Sequence, residues 1–145
     1  MKKEAGGPLD GVRVIDLTSV VMGPFGTQVL CDQGADVIKV ESPAGDVMRL
    51  SGPLRHADMG HYYLNINRGK RSIVLDLKEA AGREVVLRLA QSADVVVYSM
   101  RPQAMARLGL DYERLHAVNP RVIYAGAFGF SERGPYAGRP AYDDL

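Results

Sequence analysis

Five short runs of β-branched and aliphatic residues, separated by segments of helical character, constrain what this chain can fold into. They occupy residues 12–17 (VRVIDL), 36–40 (DVIKV), 72–77 (SIVLDL), 93–98 (ADVVVY) and 121–127 (RVIYAGA). Such runs read as strands buried on both faces. Residues 24–33 open on Pro24, suited to a first helical turn, and stop at Gly34, suited to a C-terminal cap. Residues 79–91 place Val85, Val86, Leu89 and Ala90 on one face, with Glu79 early and Arg88 late, the polarity a helix dipole favours. Residues 102–108 and 112–118 read as two shorter helices. Strands alternating with helices predict parallel βαβ units, an α/β doubly wound, mostly parallel sheet, with ligands bound outside the carboxyl ends of its strands. Residues 42–67 break the pattern: they hold glycines, prolines, Arg49, Arg55, His56 and His61 with little periodicity, and read as a long excursion over the strand ends.

The 145 residues carry 18 basic and 17 acidic groups, a net charge of +1. Bulk electrostatics therefore draws the chain to neither nucleic acid nor an anionic membrane, and any anion site must be built locally. Cys31 is the single cysteine, so no disulfide forms within the chain. Residues 1–8 have positive charge but no apolar stretch behind it, unlike a signal peptide. No apolar run is long enough to span a bilayer. A cytoplasmic protein is the expectation. His56, His61, His116 and Cys31 lack metal-ligand spacing, so no metal site is expected. There is no G-x-S-x-G elbow.

Three segments at expected strand ends are candidates for anion binding. After the first strand comes Thr18-Ser19-Val20-Val21-Met22-Gly23-Pro24, leading into a helix. Exposed N–H groups at a helix start attract phosphate, and Gly23 would let a ligand approach the backbone; a plain strand-to-helix turn is the alternative. The dinucleotide fingerprint G-x-G-x-x-G is absent, although Glu41 ends the second strand where a ribose-binding acid would lie. A Walker A loop is excluded, because Gly69-Lys70 is followed by Arg71. The second segment, Arg68-Gly69-Lys70-Arg71, sets three cations around a glycine, as phosphate groups or plain solvation would both allow. The third is Tyr98-Ser99-Met100-Arg101-Pro102, followed by Arg107 and Leu108. Here the arginines suit phosphates, while Met100 and Leu108 suit either a flat base or the core.

Residue by residue, a resemblance goes further. Pro8-Leu9-Asp10-Gly11-Val12-Arg13-Val14-Ile15-Asp16-Leu17, Gly23-Pro24 and Leu30-Cys31-Asp32-Gln33-Gly34-Ala35-Asp36-Val37-Ile38-Lys39-Val40-Glu41 resemble the start of family III CoA-transferases. Asn67-Arg68-Gly69-Lys70-Arg71-Ser72-Ile73, Leu75-Asp76-Leu77-Lys78, Arg101-Pro102, Leu108-Gly109-Leu110, Asn119-Pro120-Arg121-Val122-Ile123-Tyr124 and Gly134-Pro135-Tyr136 continue it in order. The family includes formyl-CoA and carnitine-CoA transferases and α-methylacyl-CoA racemases. The resemblance implies a Rossmann-like large domain over residues 8–145 behind a flexible tail of residues 1–7. It also implies a smaller second domain outside this chain, and interlocked homodimers. Coenzyme A, as acyl-CoA, would be a substrate rather than a tightly bound cofactor, and the other substrate a small carboxylic acid. By the same resemblance CoA would contact Val20, Val21, Met22, Gly23, Leu75, Ser99, Met100, Arg107 and Leu108. Two segments depart from the pattern: an acid-Asn-Phe before Arg-Pro is Tyr98-Ser99-Met100 here, and a basic residue after the second strand's Glu is Ser42.

Racemases of this family carry His-Asp where this chain has Tyr142-Asp143. Tyrosine, with a pKa near 10, is a poor base at neutral pH, which favours the transferase branch. Similarity to the transferases places the nucleophilic aspartate after Leu145, so no catalytic residue is assigned within the chain, which is expected to be part of a larger enzyme and inactive alone. Asp143 and Asp144 match a helix-start motif instead. A racemase, or a non-catalytic CoA-binding module, are the alternatives.

Overall fold

The strand-forming runs assemble side by side. In the computed structural model, which describes residues 6–141, strands β1 (Arg13–Leu17), β2 (Asp36–Glu41), β3 (Arg71–Val74), β4 (Val95–Tyr98) and β5 (Ile123–Gly126) form one sheet. The order is β3-β2-β1-β4-β5 and every pairing is parallel. The chain thus runs outward from β1 in one direction, then crosses back to build the other half. Ligand crevices form where that direction reverses, here between β1 and β4. Residues 1–5 of the expected tail, and Tyr142, Asp143, Asp144 and Leu145, lie outside the described residues.

Alternation along the strands divides the sheet into two faces. Ile15, Leu17, Ile38, Val40, Val96 and Tyr98 point to the face covered by α3 (Ala80–Ala90), α4 (Pro102–Leu108) and α5 (Tyr112–Val118), where Val86, Ala90, Met105 and Leu115 complete the main core. The opposite face packs Val14 and Val37 with Ala35, Leu30 and Cys31, beneath α1 (Met22–Asp32). The carboxyl ends of β1 and β2 on this second face are polar: Asp16, Lys39 and Glu41 are all buried. Buried charges need partners: those of Lys39 and Glu41 come from the segment that follows β2, and that of Asp16 is Lys70.

That segment, 42–67, read from sequence as a long excursion over the strand ends, contains local structure of its own. It contains a 3-10 turn, Val47–Leu50, and a short helix α2, His61–Ile66. Asp46 caps the turn by accepting from the Met48 N–H at 3.0 Å. Helix α1 starts at Met22 instead of Pro24, which places the proline within the first turn, where its missing N–H costs nothing. Gly34 has φ of +104°, as its role past the helix end requires. Strand β3 is shorter than its apolar run, because it is an edge strand paired only with β2; the backbone bond from Leu75 N–H to Glu41 O, 2.8 Å, follows its last paired residue. No helix among the described residues is long and apolar enough to cross a membrane.

Candidate functional site

A cleft of about 540 Å³ lies at the carboxyl ends of β1 and β2 and before α4. Its apolar walls are Leu17, Val40, Leu75, Leu77, Met100 and Leu108. Lys78 and Arg107, both exposed, supply cations, and Ser19 and Ser42 supply hydroxyls. An apolar slot with a few cations and hydroxyls suits a ligand with a flat, hydrophobic portion and anionic groups. Met100 and Leu108 serve two surfaces at once, since both also pack against the main core.

Of the residues singled out from sequence, Leu75, Met100, Arg107 and Leu108 share this cleft. Ser99 stands beside it, its Oγ accepting from the Ser19 N–H at 3.1 Å. Val20, Val21, Met22 and Gly23 follow Ser19 directly without lining the cleft, and the first three are exposed. The α1 N-terminus at Val21 has no side-chain cap, so its first N–H groups are left for solvent or ligand. The reason for glycine at 23 is internal. A Cβ there would sit 2.4 Å from the Cβ of Thr18, so the position is small because Thr18 fills the space. Gly23→Ala is expected to cost roughly 1–3 kcal/mol through overpacking, read as a lower melting temperature.

Two buried networks fix the cleft's polar side. In the first, Lys70 Nζ lies 3.0 Å from Asp16 Oδ2 and 2.8 Å from each of Pro24 O, Thr27 Oγ1 and Asn67 Oδ1. Asp16 also accepts from the hydroxyls of Thr18 and Thr27 and from Thr18 N–H. Burial pushes the Asp16 carboxyl up, but the charges of Lys70 and Lys39 and the two hydroxyls outweigh it and hold its pKa below the ordinary value. Burial pulls the Lys70 pKa down. A neutral amine has only two N–H donors for four acceptors, so we read the pair as ionic at neutral pH. In the second network, Glu41 accepts from Arg49 Nε at 2.7 Å and Nη2 at 2.8 Å, and from Tyr63 Oη and Ser72 Oγ, each at 2.7 Å. Burial would raise its pKa, yet these donors and the Asp46 N–H bring it down to about 2. Lys39 and Asp46 join the two networks as an ion pair at 3.0 Å, with both side chains 1% exposed.

These contacts bear on two alternatives that the sequence leaves open. Glu41 is spent on Arg49, Tyr63 and Ser72, so it is not free to bind a ribose. The three cations around Gly69 do not form a phosphate cradle: Lys70 is buried on Asp16, Arg68 pairs with Asp32, and Arg71 with Asp36. Thr18 and Ser19, from the first candidate segment, also line the cleft, as do Ser42 and two residues given no role from sequence, Asp46 and Asp76. One signal did exist for Asp46: a lysine inside the apolar run 36–40 must find a buried acid.

The CoA-transferase family III model matches residues 9–145. The chain is 49% identical over 140 residues to an acetyl-CoA:oxalate CoA-transferase of Acetobacter aceti, which covers 96% of this chain and 36% of that protein. It is 48% identical over 143 residues to a succinate–glutarate CoA-transferase of Agrobacterium fabrum, covering 94% and 36% respectively. The crystal structure of a CAIB/BAIF family protein from Brucella suis superposes with a TM-score of 0.91 at 46% identity, over 97% of this chain and 38% of that one. The chain therefore spans a little over a third of the length of these relatives. With the parallel sheet and the match over nearly all its residues, the chain belongs to CoA-transferase family III.

Proposed function

We propose that this chain is the CoA-holding part of an acyl-CoA:carboxylate CoA-transferase. The observation that carries this reading is the cleft, in which Leu75, Met100 and Leu108 form apolar walls beside the Arg107 cation. The two relatives named above, both CoA-transferases acting with dicarboxylic acids by name, support it. Met100 and Leu108 would flank the adenine, Arg107 would pair with phosphate, and the Ser19–Val20–Val21–Met22–Gly23 loop would lie along the ligand. CoA enters as a substrate and leaves as a product.

In this reading the chain's residues bind and orient while an aspartate beyond Leu145 reacts. Its carboxylate attacks the acyl-CoA carbonyl, giving a mixed anhydride and releasing the CoA thiolate. The thiolate attacks the aspartyl carbonyl, forming an enzyme thioester and freeing the first carboxylic acid. The acceptor carboxylate displaces the thiolate to form a second anhydride, and the thiolate attacks its acyl carbonyl. New acyl-CoA leaves and the aspartate is restored. A firmly held nucleotide keeps the thiolate close through all four transfers, which is the advantage of binding CoA on a rigid sheet edge.

Calorimetry with CoA tests the binding role. Arg107→Ala is expected to weaken CoA at least about tenfold, the loss of one charge-assisted bond, with the melting temperature unchanged because Arg107 is exposed. No CoA binding by the unmodified protein, or equal affinity of the variant, sinks the assignment. Incubating a 2-methylacyl-CoA in deuterated water separates the branches: exchange of the α-hydrogen without an acceptor acid would mark a racemase.

A further inference from the structure

Val20 is strained in a way the fold alone does not demand. Its φ is +71°, in the left-handed region, which a β-branched residue enters only under constraint. Its side chain is 46% exposed, so core packing does not force it there. Three polar side chains hold the backbone around it. Lys39 Nζ donates to Thr18 O at 2.9 Å, the Ser19 N–H donates to Ser99 Oγ, and the Val20 N–H donates to Asp46 Oδ1 at 3.3 Å. Asp46 and Lys39 are themselves locked together by their buried ion pair, and Asp46 is anchored by its own N–H on Glu41 Oε2 at 3.0 Å. The clamp thus comes from β2 and the turn after it, on the opposite side of the loop from Ser99.

We propose that Asp46, backed by Lys39, is a positioning residue that holds Val20 in its left-handed conformation so that the 19–23 loop is preorganised for CoA. The proposal rests on the cleft being the CoA site. Asp46 need not touch the ligand; it acts through Val20. Without its carboxylate, Val20 relaxes to an extended conformation and the loop loses its bound-state shape before CoA arrives. Binding then has to restore the strained conformation, and affinity falls. Glycine at position 20 adopts a positive φ without strain, so it removes the need for the clamp.

The signature is a coupling between positions 20 and 46 in CoA affinity, which a merely structural role for Asp46 does not produce. By calorimetry, Asp46→Ala is expected to weaken CoA about tenfold or more when residue 20 is valine, and no more than about threefold in the Val20→Gly background. Should Asp46→Ala fail to fold because Lys39 is left charged and buried, Lys39→Met/Asp46→Ala removes both charges and carries the same expectation. Equal losses in the two backgrounds, or no loss in either, overturn the positioning role while leaving the CoA site intact. No CoA binding by the unmodified protein overturns the site and the positioning role together.

Discussion

Replacing Lys70 by methionine is expected to destabilise the protein by about 3–5 kcal/mol, because breaking a buried ion pair leaves an uncompensated charge. For a chain of this length that is a fall in melting temperature on the order of 10 °C. Methionine preserves most of the side-chain bulk, so the effect reports the charge together with the four hydrogen bonds of Lys70 Nζ. What it leaves behind is Asp16, 0% exposed, held below its ordinary pKa partly by the lysine that has gone. Asp16→Asn should cost a similar amount by the converse route, leaving the ammonium group against neutral oxygens. The double variant Asp16→Asn/Lys70→Met should lose markedly less than the sum, since each single change already strands the other partner. Arg68→Met supplies the control. Its pair with Asp32 is 60% and 47% exposed, and surface pairs of that kind contribute at most about 1 kcal/mol. Thermal melts of the four variants decide the matter; a Lys70→Met midpoint no lower than that of Arg68→Met would mean the buried pair is not ionic.

The same lysine shows how far sequence alone reached. Strands were legible because Val and Ile cluster in them, and five apolar runs became five strands in a parallel sheet. The stretch Arg68-Gly69-Lys70-Arg71 was legible as charge but not as structure. Its three acid partners, Asp32, Asp16 and Asp36, lie 36, 54 and 35 positions away, beyond the reach of any local pattern. Residues 42–67 hid their order for the same reason. Their shape comes from Glu41 gripping Arg49 and Tyr63, and from Asp46 meeting Lys39, rather than from a periodic apolar face. At the site, the residues carried over by resemblance divide in two. Leu75, Met100, Arg107 and Leu108 converge on one cleft, whereas Val20 to Gly23 stand next to it. Of the polar residues that fix the loop, Lys39 was visible only as a lysine inside an apolar run, and Asp46 only as the acid such a lysine needs.

Glu41→Gln is expected to lower stability at pH 7 by about 3 kcal/mol, and the difference from the unmodified protein is expected to vanish in acid. The folded-state pKa of Glu41 is about 2, against 4.5 for the ordinary carboxyl. A depressed carboxylate pKa contributes stability that is fully present above pH 4.5 and disappears as pH falls toward 2. The distance between these two pKa values, at about 1.4 kcal/mol for each tenfold in proton affinity, sets the size. Asp16 and Asp36 also have lowered pKa values, so the unmodified protein and the variant share their acid sensitivity. Subtracting one urea-unfolding series from the other between pH 7 and pH 3 therefore isolates Glu41: the gap should narrow steadily over this range and closes fully only below the folded pKa of about 2. Protonated glutamic acid and glutamine present similar groups to Arg49, Tyr63 and Ser72, which is why the gap closes. A gap that stayed constant with pH would mean that glutamine disrupts packing and that the charge on Glu41 contributes nothing. If the gap does close, the carboxylate is what ties the segment after β2 to the sheet. The Asp46 N–H bonds to that same carboxylate, so Glu41→Gln should also loosen the Val20 loop and weaken CoA at pH 7.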